Sequence, residues 1–114
     1  MLIFYTNKFI PDNDLSACTR GFFIFIRPEF KNNIGLLEHE KYHRKQFIKT
    51  FGLSSILYKF SKSYRLKSEI KAYKVQLSYN KPEEIEAKRK LYAKYISEDY
   101  NLNIMFGKVY ELLK

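Results

Sequence analysis

Apolar side chains near the start of the chain form two short stretches that are bounded by turn-forming residues. Residues 2–6 and about 18–27 are rich in aromatic and branched side chains, which favour β-strands. The proline-containing segment 10–14 between them has the composition of a turn. Pro28 cannot donate a main-chain hydrogen bond within a sheet, so the second strand is expected to end there.

Beyond these strands the apolar positions recur every three or four residues, which is the spacing of an amphipathic helix. Asn32 or Asn33 offers an N-cap and Gly52 a stop, so the first helix is predicted between them. A short apolar stretch at 53–60 then leads into a second helix, predicted at about 63–79. A third helix is predicted from the proline-led turn at 80–84 to about 97, and a last one at about 103–113.

This order of elements predicts an α+β fold with a small N-terminal β-hairpin or sheet followed by a bundle of about four helices. The chain has 114 residues and a mass of 13.8 kDa, which is the size of a single domain spanning 1–114. Its longest purely apolar run, residues 21–26, is far shorter than the roughly 20 residues of a membrane-spanning helix. No membrane span is therefore predicted. The N-terminus has no basic region before its apolar residues and no evident cleavage site, so no signal peptide is predicted either.

The charge balance favours acidic partners. There are 21 Lys and Arg residues against 12 Asp and Glu residues, giving a formal net charge of +9. Such an excess attracts nucleic acid without sequence specificity, although no base-reading module is recognisable and the lysines are scattered. Cys18 is the single cysteine, which excludes an internal disulfide and fits a reducing, cytoplasmic location.

The two histidines of the chain carry its most specific chemical signal. They lie four residues apart, with a glutamate after the first, in the sequence His39-Glu40-Lys41-Tyr42-His43. Positions i and i+4 lie on one face of a helix, so both imidazoles can reach one metal ion while Glu40 lies beside it. This spacing is typical of zinc peptidases.

A catalytic zinc ion usually has three protein ligands and one position left for water. Because the chain has no third histidine, the missing ligand must be a carboxylate or Cys18. Glu69 is the best candidate, since it lies on the next long helix among apolar residues that would pack against the motif helix. The weaker candidates are Asp12, Asp14, Glu98 and Asp99.

The requirements of zinc-dependent hydrolysis suggest a role for each of these residues. Zinc lowers the pKa of water towards 7 in well-studied sites and stabilises a developing oxyanion. Glu40 is not needed as a ligand, so it is the candidate general base that takes the proton of the water and passes it to the leaving amine. The hypothesis is therefore peptide hydrolysis with Zn²⁺ held by His39, His43 and Glu69.

These residues carry a resemblance to known proteins over about residues 1–77. The stretch 36–46, between a strand ending at Pro28 and the segment 64–73, is similar to very small bacterial and phage proteins of uncharacterised function. Those proteins resemble minimal gluzincin metallopeptidases, which implies a zincin-like core, the ligand set His39, His43 and Glu69, and Glu40 as the base. The resemblance also implies that the strand at about 21–27 presents its edge to an extended peptide or protein substrate.

The sequence departs from that family at two points. Thermolysin-like gluzincins have an acidic residue four positions after the third ligand, which orients a histidine, and here that position is Tyr73. The orienting role must fall to a carbonyl, to Tyr73 or to another group. No further histidine is left to stabilise an oxyanion, and the candidates for that role are Arg20, Tyr64, Arg65 and Tyr73.

Two other classes of function remain open from the sequence. The first is a non-catalytic module that uses a metal site for folding or partner binding. The second is a basic helical protein that binds nucleic acid through lysine-rich faces such as 88–90. The oligomeric state has no signal in the sequence.

Overall fold

A small sheet precedes five helices in the computed structural model, which describes residues 2–10 and 15–114. The predicted α+β class is therefore confirmed. Most of the turn predicted at 10–14, including Asp12 and Asp14, lies outside the described residues. No helix within the described ranges has both the length and the apolar character needed to cross a bilayer.

The sheet has three strands rather than the two that the sequence predicted. They are β1 (Ile3–Tyr5), β2 (Ala17–Arg20) and β3 (Phe23–Ile26), in the order β1-β3-β2. β3 pairs with β1 in parallel and with β2 in antiparallel. The single strand predicted at 18–27 is wrong because the chain reverses at Gly21, whose φ of 63° is a conformation that glycine adopts easily.

The central position of β3 also corrects the expected substrate edge. Both sides of β3 are paired, so the stretch at 21–27 cannot present a free edge to a peptide. Among the described strands, β2 lies at the edge on the side next to the motif helix. Any strand-addition site near that helix must therefore use β2.

Side chains alternate between the two faces of the sheet along each strand, and this alternation determines which of them face the motif helix. Ile24 and Ile26 of β3 are buried and pack in one cluster with Leu36 of that helix. Thr19 of β2 is paired directly with Ile24, so its side chain projects from the same face of the sheet. Cys18 is paired with Phe25 and therefore projects from the opposite face.

Five helices follow the sheet: α1 (Ile34–Lys49), α2 (Leu53–Phe60), α3 (Lys62–Leu77), α4 (Ile85–Asp99) and α5 (Phe106–Leu112). Single 3-10 turns lie at Pro28–Phe30 and Pro82–Glu84. The predicted count of four is wrong because the apolar stretch at 53–60 is a helix of its own. Gly52, with a φ of 86°, separates α2 from α1, and the Ser61 hydroxyl caps α3 by accepting from the Tyr64 amide.

Helices α1 and α3 pack closely side by side. A Cβ atom added at Gly35 of α1 would lie 3.2 Å from the carbonyl oxygen of Gln76, and Ala72 of α3 is fully buried. His43, two turns after Gly35, lies instead against Ser68. The two helices therefore run antiparallel, which brings the motif face of α1 against the middle of α3.

The main apolar core lies on the other side of α3. It is formed by residues of α3, α4 and the C-terminal segment, namely Ile70, Tyr73, Leu77, Tyr92, Ala93, Ile96, Leu102, Val109 and Leu113. Burial of this many large side chains is the main stabilising term available to a chain of this length. α3 is thus fixed on both faces and can hold a polar cluster with little freedom to move.

Candidate metal centre

Three side chains from α1 and α3 converge on a common point. The Nε2 atoms of His39 and His43 are 3.3 Å apart, and each lies 3.3 Å from Oε1 of Glu69. These residues are the group of potential metal ligands found within the described part of the chain. The nearly equilateral triangle exists because the histidines lie one turn apart on α1 and Glu69 projects from the adjacent helix.

The dimensions of this triangle fit a zinc ion. Zinc binds imidazole nitrogen and carboxylate oxygen at about 2.0–2.2 Å, so neighbouring ligands of a tetrahedral ion lie about 3.3–3.5 Å apart. The three measured edges of 3.3 Å match that spacing without any movement of the side chains. The donor set of two imidazoles and one carboxylate is also one of those that bind catalytic zinc.

The cluster is buried, and its charges compensate one another. Glu69 and His39 are each only 2% exposed. Burial alone would lower the pKa of His43, but the adjacent Glu69 carboxylate outweighs it and raises that pKa to about 9. Burial would likewise raise the pKa of Glu69, and the two imidazoles instead hold it well below its usual range. Without metal the cluster is therefore expected to hold an imidazolium and a carboxylate.

This shift predicts that zinc binding displaces a proton from His43, because an imidazolium has no lone pair for a metal. The apparent affinity for zinc should rise about tenfold per pH unit between about pH 6.5 and 8, below the raised pKa. Calorimetric titrations in buffers of different ionisation enthalpy measure the number of protons released. An affinity that does not change across this pH range would contradict the prediction.

Side chains outside the triangle orient both imidazoles. Nδ1 of His39 lies 2.9 Å from Oε1 of Gln76, an acceptor that places the ring proton on Nδ1 and leaves the Nε2 lone pair for a metal. Nδ1 of His43 lies 3.2 Å from the Ser68 hydroxyl and 3.3 Å from Oε1 of Gln46. The Ser68 hydroxyl also donates to Gln46 at 2.7 Å, which fixes the two partners together.

Tyr73, one of the proposed orienting groups, has a different position. Its ring packs edge-on against the His39 ring with centroids 4.3 Å apart, and its hydroxyl is hydrogen-bonded to that of Tyr100 at 2.8 Å. The interpretation of Tyr73 as a hydrogen-bond partner of an imidazole is therefore wrong. Its contribution to the cluster is a packed apolar wall.

Glu69 is oriented from a third helix. The hydroxyl of Tyr58 on α2 donates to Oε2 of Glu69 at 2.5 Å. Burial and the neighbouring carboxylate both raise the pKa of Tyr58, so its phenol keeps its proton and remains a donor. This bond fixes Oε2 and leaves Oε1 directed towards both histidines.

Glu40 lies beside the triangle and is held by the sheet. The Thr19 hydroxyl of β2 lies 2.9 Å from Oε1 of Glu40, and the other carboxylate oxygen lies 3.7 Å from Nε2 of His39. One oxygen is thus anchored while the other is directed towards the place where the three ligand atoms meet. This is the position that a proton acceptor next to a metal ion needs.

The cluster opens into a cleft of about 680 Å³, a volume within the range of ligand sites. Residues of β2, α1, α2, α3 and the segment 99–101 line it. Arg20, Tyr64 and Arg65 all line it, but Nη1 and Nη2 of Arg65 are bonded to main-chain carbonyls of residues 58, 59 and 101. Because these hydrogen bonds link the end of α2 to residue 101, the Arg65 guanidinium has a structural role rather than a role in binding substrate.

The other candidate ligands within residues 15–114 lie apart from the triangle. The Cys18 thiol donates to the carbonyl of Phe9 at 3.1 Å, and burial raises its pKa. Glu98 is exposed on α4, while Asp99 lines the cleft without joining the ligand group. Glu69 is thus the described acidic residue that the fold brings to both histidines.

Sequence reasoning did not identify Thr19, Ser68, Gln46, Gln76 or Tyr58 as part of this site. A signal existed for two of them: Gln76 lies two helical turns after Glu69, and Gln46 lies one turn after His43, so each shares a helix face with a candidate ligand. Thr19 and Tyr58 reach the site only through tertiary packing. Neither has a local pattern that predicts its position.

Comparison of the chain with models of protein families, with curated proteins and with solved structures gave no match. The site is therefore interpreted from residue types, distances and burial alone. The observations that carry that interpretation are the ligand triangle, its orienting hydrogen bonds and the second carboxylate beside it.

The bond between Gln76 and His39 yields a prediction for zinc affinity. Gln76→Met preserves the side-chain volume but removes the acceptor, and it is expected to weaken zinc binding by about 10- to 100-fold. Gln76→Glu retains an accepting oxygen and is the matched control, with affinity close to that of the wild type. Competition titration with a chromophoric chelator measures both, and equal affinity for wild type and Gln76→Met would eliminate the orienting role.

Proposed function

We propose that the chain is a zinc-dependent metallopeptidase of the gluzincin type, with a zincin-like core and Glu40 as general base. The observation that supports this proposal best is the 3.3 Å triangle of two imidazoles and one carboxylate with a second carboxylate 3.7 Å away. A structural zinc site needs four protein ligands. Here three potential ligands face a cleft, as a catalytic site requires.

In this proposal the residues of the site have separate roles in metal binding, orientation and proton transfer. His39, His43 and Glu69 would hold the ion, and hydrogen bonds with Gln76, Ser68 and Tyr58 orient these three side chains. A bound zinc ion would supply Lewis acidity, which lowers the pKa of water and favours negative charge on a carbonyl oxygen. Glu40 accepts the proton of the attacking water and delivers it to the leaving amine.

The hydrogen bond from the Thr19 hydroxyl orients the Glu40 carboxylate for this proton transfer. A carboxylate that is anchored through one oxygen loses rotational freedom, so its second oxygen is held where a proton must be received. Because Thr19 lies on the edge strand β2, the base is coupled to the element that would bind substrate. An extended peptide pairing with β2 would run beside Glu40, whose carboxylate accepts from Thr19 of that strand.

Digestion of a peptide library by the zinc-loaded protein, read by mass spectrometry, tests the proposal. Cleavage is expected with zinc, loss of cleavage after dipicolinate removes the metal, and recovery when zinc is restored. Cleavage that persists in the metal-free protein would refute a zinc-dependent reaction. Stoichiometric zinc binding without cleavage of any peptide would favour the non-catalytic metal module instead.

A further inference from the structure

The outer surface of α2 and the turn before it expose an unusual number of large apolar side chains. Phe51 is 99% exposed, Phe60 77%, Ile56 57%, and Leu53 and Ile48 53% each. Residues 53, 56 and 60 form one stripe along α2. We call these five residues the apolar patch. Exposed large apolar side chains concentrated in one segment of a small protein indicate an interaction site.

Backbone conformation holds the most exposed member of the patch away from the core. Phe51 has a φ of 53° and is followed by Gly52 at 86°, so two successive residues are in the left-handed region. A bulky residue rarely adopts this conformation. The chain thus places a phenylalanine in a strained turn where it gains no burial, which is unfavourable for the isolated protein.

The charged residues in the segment that carries the patch are all basic. Residues 41–68 include eight Lys and Arg residues and no Asp or Glu. Lys45, Lys49, Lys59 and Lys62 are exposed on the helices that carry the patch or begin beside it. Apolar side chains flanked by exposed lysines are the composition of helices that lie in the interface of an anionic membrane.

The two faces of α2 have different surroundings. Ser54 and Tyr58 face the cleft, where Tyr58 donates to Glu69. Leu53, Ile56 and Phe60 project away from it. A surface bound by the outer face would therefore lie directly behind one wall of the cleft.

We propose that the apolar patch docks onto an anionic lipid bilayer surface, with Phe51 inserted among the acyl chains and the surrounding lysines at the headgroups. A second copy of the chain is disfavoured as the occupant because symmetric docking would bring two surfaces of like charge together. A fluid bilayer accommodates a protruding side chain in a turn without a preformed pocket. This inference does not depend on the proposed peptidase activity.

Vesicle flotation of the 114-residue chain tests the proposal. We expect the protein to bind phosphatidylcholine vesicles that contain about one third phosphatidylglycerol, to bind pure phosphatidylcholine vesicles weakly, and to be released by high salt. Phe51→Ser should weaken binding by about tenfold or more. Met105→Ser is the matched control, because Met105 is 81% exposed but lies outside the patch.

A second pair of variants separates local charge from total charge. Replacing three of the lysines beside the apolar patch by glutamine, at positions 45, 49 and 59, is expected to abolish most binding to the anionic vesicles. The same change at Lys74, Lys90 and Lys94, which are also exposed, leaves the same net charge and should have little effect. Circular dichroism checks that each variant remains folded.

Three results would overturn the docking proposal. The first is absence of binding to the anionic vesicles. The second is equal loss of binding in the patch and control variants. The third is a concentration-dependent dimer that Phe51→Ser disrupts, since it would assign the patch to a second copy of the chain.

Discussion

Glu40→Gln is expected to leave zinc binding unchanged and to lower peptide hydrolysis by about a thousandfold. Glutamine has nearly the same shape and can still accept from the Thr19 hydroxyl, so the site should keep its structure. It cannot take a proton from water, however, and this step is the one that the proposed mechanism assigns to position 40. The measurement is kcat/KM for a cleaved peptide, alongside zinc affinity for the same preparation.

Glu38→Gln is the matched control for that experiment. Glu38 lies on the same helix, is partly exposed and pairs with Lys41 at 3.3 Å on the surface. Surface pairs of this kind contribute little to stability, so this variant should keep both zinc and activity. Full turnover by Glu40→Gln would eliminate Glu40 as the base, whereas equal losses in both variants would point to a nonspecific charge effect.

Glu69→Ala is expected to weaken zinc binding by about 100-fold or more. Apparent binding energies of structural zinc sites, divided among their ligands, give about 3 kcal/mol for each, which corresponds to that factor. The substitution also removes the acceptor of the Tyr58 hydroxyl and the counter-charge of His43. Chelator competition measures the affinity, and hydrolysis should fall with zinc occupancy.

Two controls distinguish a lost ligand from a general effect. Glu98→Ala removes an exposed carboxylate on α4, and Cys18→Ser removes the thiol that the sequence left open as a ligand. Both variants should bind zinc like the wild type. Unchanged affinity in Glu69→Ala, or a large loss in Cys18→Ser, would show that the ligand set is different.

Local patterns were sufficient to predict α1 and α3, the two helices that carry the ligand triangle. The four-residue spacing of His39 and His43 predicts a shared face on any helix, and the Asn33 cap predicts where that helix begins. The prediction of Glu69 as the third ligand needed one further assumption, namely that the next long helix packs antiparallel against the first. Its 3.3 Å approach to each histidine depends on close packing at Gly35 and Ala72, which no periodicity specifies.

The features that the sequence did not predict depend on single residues or on long-range contacts. Gly21 turns one apparent strand into a hairpin, and Gly52 separates an apolar stretch into a helix of its own. Tyr58 and Thr19 reach the cluster from α2 and β2, across 11 and 21 residues of chain respectively, to Glu69 and Glu40.

Crystallography of the zinc-equilibrated protein, with data at the zinc absorption edge, tests the central claim most directly. The account predicts one anomalous peak between α1 and α3, with nitrogen atoms of His39 and His43 at about 2.0–2.1 Å and an oxygen of Glu69 at about 2.0–2.2 Å. A peak elsewhere on the chain, zinc bound to sulfur at about 2.3 Å, or no ordered zinc at saturating concentration would contradict it.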